Sequence, residues 1–151
     1  MYEVVLHTDG ACSNNGYETA VGGWCAILLC KGKEMVLHGY ESRATNNRME
    51  LRAVIEGIKA LKKPSQVSVY TDSQYVCQGA ALMRKWLKHP QNAHANMDLW
   101  NELIDVGKKG GHKITFHKVA GHSGDPMNER CDAIAKQQTI KYAVLQTLDE
   151  A

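Results

Sequence analysis

Proline and phenylalanine are scarce in this 151-residue chain, with three and one respectively, and none of its five cysteines forms a Cys-x-x-Cys pair. So little proline beside 13 glycines does not make a low-complexity linker. The odd set Cys12, Cys25, Cys30, Cys77 and Cys131 disfavours a disulfide scaffold and a structural zinc site. No charge of one sign dominates. Lys and Arg number 18 against 16 Asp and Glu, a net of +2, so a polyanion partner must be argued from where charges sit. The longest apolar run, Trp24 to Cys30, falls far short of the ~20 residues that span a bilayer. The start, Met1-Tyr2-Glu3-Val4, has neither a basic n-region nor a long apolar h-region. These absences predict a cytoplasmic protein of a reducing compartment, with no membrane partner.

What is present reads as an ordinary globular domain, 44% hydrophobic and 23% charged. Residues 1–151 are expected to form a single domain, with a frayed tail from about residue 144. Val4 to Thr8 reads as a strand ending at Asp9-Gly10, and the Gly-, Asn- and Ser-rich stretch from Ala11 to Gly23 as a loop. Trp24 to Cys30 and Met35 to Tyr40 read as a hairpin around Lys31-Gly32-Lys33. Leu51, Val54, Ile55, Ile58 and Leu61 recur at helical spacing, with a cap at Thr45, Asn46 or Asn47 and a stop at Pro64. Val67 to Thr71 is a strand, and Gln74 to Lys88 a helix with a weak point at Gly79. A helix over Met97 to Val106, a strand over Lys113 to Val119 and a last helix from Pro126 to about Ala143 follow. The order βββαβααβα predicts an α/β fold, one mixed sheet with helices on both faces.

Four acidic residues stand out. Asp9 and Asp72 each follow a Thr at the end of an apolar strand, where a mixed sheet places its ligands. Either one alone is equally an ordinary turn cap. Glu50 shares its helix stripe with Val54 and Ile58, so it must be paired with a cation or bind one. Asp132 lies between Cys131 and Ala133 on the last helix. If the four converge, hard oxygen donors favour Mg²⁺ or Mn²⁺ over zinc. Two such ions about 3.5–4 Å apart can activate a water and stabilise a leaving oxygen, which suits phosphodiester hydrolysis.

Four motifs then line up in order: Thr8-Asp9-Gly10-Ala11-Cys12-Ser13-Asn14-Asn15, Thr45-Asn46-Asn47-Arg48-Met49-Glu50-Leu51, Thr71-Asp72-Ser73-Gln74-Tyr75-Val76, and Gly121-His122-Ser123-Gly124 with Asn128-Glu129-Arg130-Cys131-Asp132. In these motifs the chain, from about residue 3 to about 138, resembles ribonuclease H of the bacterial type 1 class. The resemblance implies the ribonuclease H-like five-stranded mixed sheet. It also implies endonucleolytic cutting of the RNA strand of RNA–DNA hybrids with two Mg²⁺ ions, Mn²⁺ substituting, leaving 5′-phosphate and 3′-hydroxyl ends. Asp9, Glu50, Asp72 and Asp132 would hold the metals, and His122 would assist proton transfer or product release. Asn15, Asn46 and Gln74 would contact the RNA strand, where the 2′-hydroxyl separates RNA from DNA. Arg43, Thr45 and Asn96 would grip one phosphate of the DNA strand. No obligate protein partner is implied, and the expected form is a monomer.

The chain departs from the family over Leu82 to His94, which is shorter and less basic than the protrusion many members carry. Arg84, Lys85, Trp86 and Lys88 are its candidate DNA-channel residues, and weaker hybrid binding follows from fewer phosphate contacts. A catalytically silent hybrid-binding module is the alternative. It would lack at least one of the four carboxylates, and all four are present.

Overall fold

The computed structural model describes residues 1–15, 17, 19–88, 95–120 and 125–150, the side chains at 84, 87, 146, 147, 149 and 150 excepted. Its elements are β1 (Tyr2–Ser13), β2 (Val21–Cys30), β3 (Lys33–Ser42), α1 (Asn46–Lys59), β4 (Ser65–Thr71), α2 (Gln74–Lys88), α3 (Met97–Gly110), β5 (Lys113–Lys118) and α4 (Pro126–Glu150). The strands form one mixed sheet in the order β3-β2-β1-β4-β5. β1, β2 and β3 pair antiparallel, whereas β4 runs parallel to both β1 and β5.

Alternation along the strands builds two cores. Val4, Leu6, Ala26, Leu28, Val67 and Val69 face α1, α2 and α3, which bring Leu51, Ile55, Trp86 and Trp100. Cys25 and Ile27 face the other way and meet Cys131 and Ala135 of α4. Each large side chain buried in these layers contributes about 1.5–3 kcal/mol. Gly79 is no weak point in α2: a Cβ there would strike the Trp100 ring, so the glycine lets the two helices close up.

Local chemistry explains several boundaries. The β2–β3 hairpin turns on Lys31 and Gly32, at φ 52° and 74°, so both central residues take the left-handed conformation of a type I′ turn. Thr45 caps α1, its Oγ1 accepting from the Arg48 N–H at 3.2 Å. Gly111, at φ 67°, closes α3 four residues beyond the expected end at Val106.

Two expectations are corrected. β1 does not stop at Thr8, nor is 11–23 all loop: Gly10 to Ser13 stay paired with Val21 to Trp24 of β2. The small residues there mark close packing. A Cβ at Gly10 would strike the backbone of α1, and one at Gly23 the backbone of α4. The last helix does not end near Ala143 either, because α4 continues to Glu150. No Gly or Pro interrupts it, and Tyr142 packs on Tyr40 of β3 with ring centroids 4.7 Å apart.

Candidate metal centre and nucleic-acid interface

Asp9 lies within β1 rather than at its end, but the parallel pairing of β1 with β4 stops at His7 and Tyr70. Asp9 and Asp72 are thus the next residues pointing the same way beyond the last parallel pair. Glu50 reaches the same point from the first turns of α1. Asp9, Glu50 and Asp72 each offer a carboxylate oxygen within 4.8 Å of the others. Asp132 of α4 stands beside Asp9 and raises its pKa through a side-chain hydrogen bond and its charge. Its Oδ2 is held by Lys136 at 2.9 Å, one helical turn on.

Burial sets the electrostatics. Asp9 is 2% exposed and Glu50 9%. Asp9 Oδ1 accepts from the Gly10 N–H at 2.9 Å. Among the described residues, no donor meets Asp9 Oδ2 or Glu50 Oε2. The two carboxyls crowd one another, and burial beside like charge favours their protonated forms. Burial, then Asp72 and Asp132, push Asp9 up to about 7, while the bond to Glu50 opposes the rise. Burial and the Asp9 charge push Glu50 well above the carboxylate range, against a hydrogen bond from the Gly10 backbone. Orphaned buried oxygens in an all-oxygen set fit a hard divalent cation, whose charge would favour the ionised carboxylates.

Around this centre, Asn15 and Asn46 come together: Asn15 Oδ1 accepts from the Asn46 N–H at 2.9 Å. Both side chains are exposed, and so is that of Gln74 at the start of α2. Thr45 and Asn96 are joined by Arg48, which is three residues past Thr45 and donates to Asn96 Oδ1 at 3.2 Å. Asn96 Nδ2 donates to the Tyr75 hydroxyl at 3.1 Å, and Trp100 Nε1 donates to that same oxygen at 3.1 Å. Arg48 is held in turn by both oxygens of Asp98. Arg43 is exposed nearby in sequence, at φ 53°.

Arg48, Tyr75 and Lys136 were not among the expected site residues. The i to i+4 spacing of Asp132 and Lys136 was visible in the sequence, whereas the approach of Tyr75 and Arg48 to Asn96 has no local signal.

One channel residue is corrected. Trp86 is 8% exposed and packs edge-on against Trp100 at 5.7 Å, so apolar packing claims its ring. Lys85 and Lys88 are exposed on the same helix. The Arg84 side chain and His122 lie outside the described residues. Cys131 donates to the carbonyls of His7 and Cys25, and all five cysteines are free thiols.

The family model for ribonuclease H matches residues 1–140. A ribonuclease H from Caldicellulosiruptor saccharolyticus is 48% identical over 143 residues, covering 90% of this chain and 95% of the relative. The crystal structure of LC9-RNase H1, described as a type 1 RNase H with the type 2 active-site motif, superposes with a TM-score of 0.77 at 26% identity, covering 92% of this chain and 72% of that one. LC11-RNase H1, whose crystal structure is a complex with an RNA/DNA hybrid, shares the fold at a TM-score of 0.73 and 16% identity, over 93% of this chain and 99% of that one.

Proposed function

The chain belongs to the ribonuclease H family of metal-dependent endoribonucleases, which cleave the RNA strand of RNA–DNA hybrids, and we propose that it does so with Asp9, Glu50, Asp72 and Asp132 as its metal-binding carboxylates. The observation that carries this assignment is the cluster itself. Asp9 and Glu50 each bury an oxygen without a donor, and Asp72 stands within 4.8 Å of both. Mg²⁺ is the natural ion, two being held with substrate bound, and Mn²⁺ substitutes. When bound, the pair supplies an activated water and neutralises charge on the scissile phosphate and the departing 3′ oxygen. Products with 5′-phosphate and 3′-hydroxyl ends follow from that direction of attack.

The residues around the centre place the hybrid. Asn46, its backbone tied to Asn15, and Gln74 open the first turns of α1 and α2 and present amides to the RNA strand's shallow groove, where the 2′-hydroxyl is displayed. Thr45 keeps its hydroxyl proton to donate, since its oxygen is already the acceptor for Arg48. Asn96 keeps one amide hydrogen beyond the bond to Tyr75. With the Arg43 guanidinium they form a phosphate grip for the DNA strand. Lys85 and Lys88, joined by Arg84, add cations along that strand. His122 serves the proton transfer that releases product. The working form is one ribonuclease H unit over residues 1–151, a monomer in the cytoplasm, where five free thiols belong.

The test uses one end-labelled sequence as RNA–DNA hybrid, RNA duplex, DNA duplex and single-stranded RNA, each with Mg²⁺, Mn²⁺ or EDTA. Metal-dependent cutting of only the hybrid's RNA strand is expected. Hybrid binding without cutting in either metal would overturn the assignment in favour of a silent binding module.

A further inference from the structure

The sheet face under α4 is covered only in part. α4 packs on β1, β2 and β3. On β4 and β5 the residues alternating with core Val67, Val69, Ile114 and Phe116 point to that same side, and there Lys113, Thr115 and His117 are exposed and Tyr70 half-buried. Register places His7, Tyr70 and His117 in one row across three strands. Their rings stack, His7 on Tyr70 at 5.4 Å and 26°, and Tyr70 on His117 at 4.8 Å and 19°. Among the described residues β5 is the edge of the sheet, so no further strand flanks His117 and its ring ends the stack. Asp9 and Asp72 lie two residues past His7 and Tyr70, so the ring row is the layer directly beneath the carboxylates.

Rings able to stack, on a face that also carries exposed Lys113, are the chemistry of single-strand binding, in which bases stack on aromatic faces and cations meet phosphates. A duplex keeps its bases stacked inside, so only an unpaired strand can offer one. Continuity with the carboxylates makes that strand the one being cut. Resting on the ribonuclease H reading, we propose that this open face binds single-stranded RNA running on from the hybrid. One base stacks on the outer face of His117, and Lys113 neutralises a phosphate of the same strand.

The full chain is assayed with Mg²⁺ on a hybrid that is blunt, or that carries an unpaired RNA extension at one end or the other. One of the two extensions is expected to lower KM about 5-fold or more relative to the blunt hybrid. That KM ratio should return to about 1 in His117→Ala and persist in His117→Phe, which keeps a stacking face. Equal KM for all substrates, a ratio unmoved by His117→Ala, or an equal gain from an unpaired tail on the DNA strand would overturn the proposal. If the blunt hybrid is not cut at all, the catalytic reading fails instead, and the surface is tested without catalysis. In EDTA, the ring signals of Tyr70 and His117 should shift on titration with a single-stranded RNA oligonucleotide; signals that stay in place would refute the binding face.

Discussion

Two acidic clusters flank α1, and they differ in counter-charge. On one side Arg52 donates to Glu41 at 3.0 Å, to Glu56 at 3.5 Å and to Glu102 at 3.2 Å, tying β3, α1 and α3 together. Lys59 adds bonds to Glu56 and Glu102. At the other cluster Asp9 and Glu50 are more deeply buried, and their inner oxygens meet no described donor. Residue types alone do not separate the two. A cluster whose cations come from the chain is complete and holds the fold. A cluster that buries negative charge without them is unfinished, and a divalent ion completes it.

Asp9→Asn breaks the contrast most sharply. It removes one of the proposed metal ligands, so hybrid cleavage should fall on the order of 1,000-fold while hybrid binding persists. Cleavage and retardation assays on one substrate check both parts, and near-normal cutting would sink the site assignment. The same change should stabilise the metal-free protein by about 1–3 kcal/mol, because it relieves a buried repulsion, and raise Tm by roughly 3–10 °C.

The parent protein's pH dependence sharpens the point. Burial first, then the charges of Asp72 and Asp132, push the Asp9 carboxyl up to about 7 in the fold, against 3.8 for an unperturbed aspartate. Between those values the folded state binds more protons than the unfolded one. In EDTA, stability should therefore fall as pH rises through that window, with Glu50, also raised by burial, adding to the loss. Mg²⁺, which binds the deprotonated form, should reverse the slope. Melting curves from pH 4 to 8 with and without the ion show it, and parallel curves would mean that no ion takes the proton's place.

Arg52→Met tests the completed cluster. It should cost about 1–2 kcal/mol, since three glutamates lose a shared partner, with hybrid cleavage unchanged at permissive temperature. Chemical denaturation and a cleavage rate measured side by side separate the effects. Smallest is Tyr75→Phe, which frees the Asn96 amide on one side. KM for the hybrid should rise about 2–5-fold with kcat unchanged; a fall in kcat alone would place Tyr75 elsewhere in the mechanism.

Much of this was legible beforehand. Periodicity and turn chemistry located all nine elements, because α1, the hairpin and the parallel strands carry strong local signals. The gathering of Asp9, Glu50 and Asp72 was legible for a different reason. Charged residues beside apolar stripes or strand ends are improbable unless something else needs them. The misreadings cluster where small residues have tertiary causes. Gly10 and Gly23 look like loop, yet they are small because α1 and α4 press on them. Trp86 looks like a surface aromatic among lysines, yet Trp100 draws it inward.

By itself the sequence determined the element order, a helix cap among Thr45, Asn46 and Asn47, and a hairpin turn around Lys31-Gly32-Lys33, all set by interactions spanning a few residues. Only the tertiary structure decided that Asp9 Oδ2 and Glu50 Oε2 meet no donor among the described residues, that Arg48 and Tyr75 hold Asn96, and that His7, Tyr70 and His117 stack beneath the carboxylates. Each of these depends on strand register or on helices meeting across the sheet, and such distances exist only once the chain has packed.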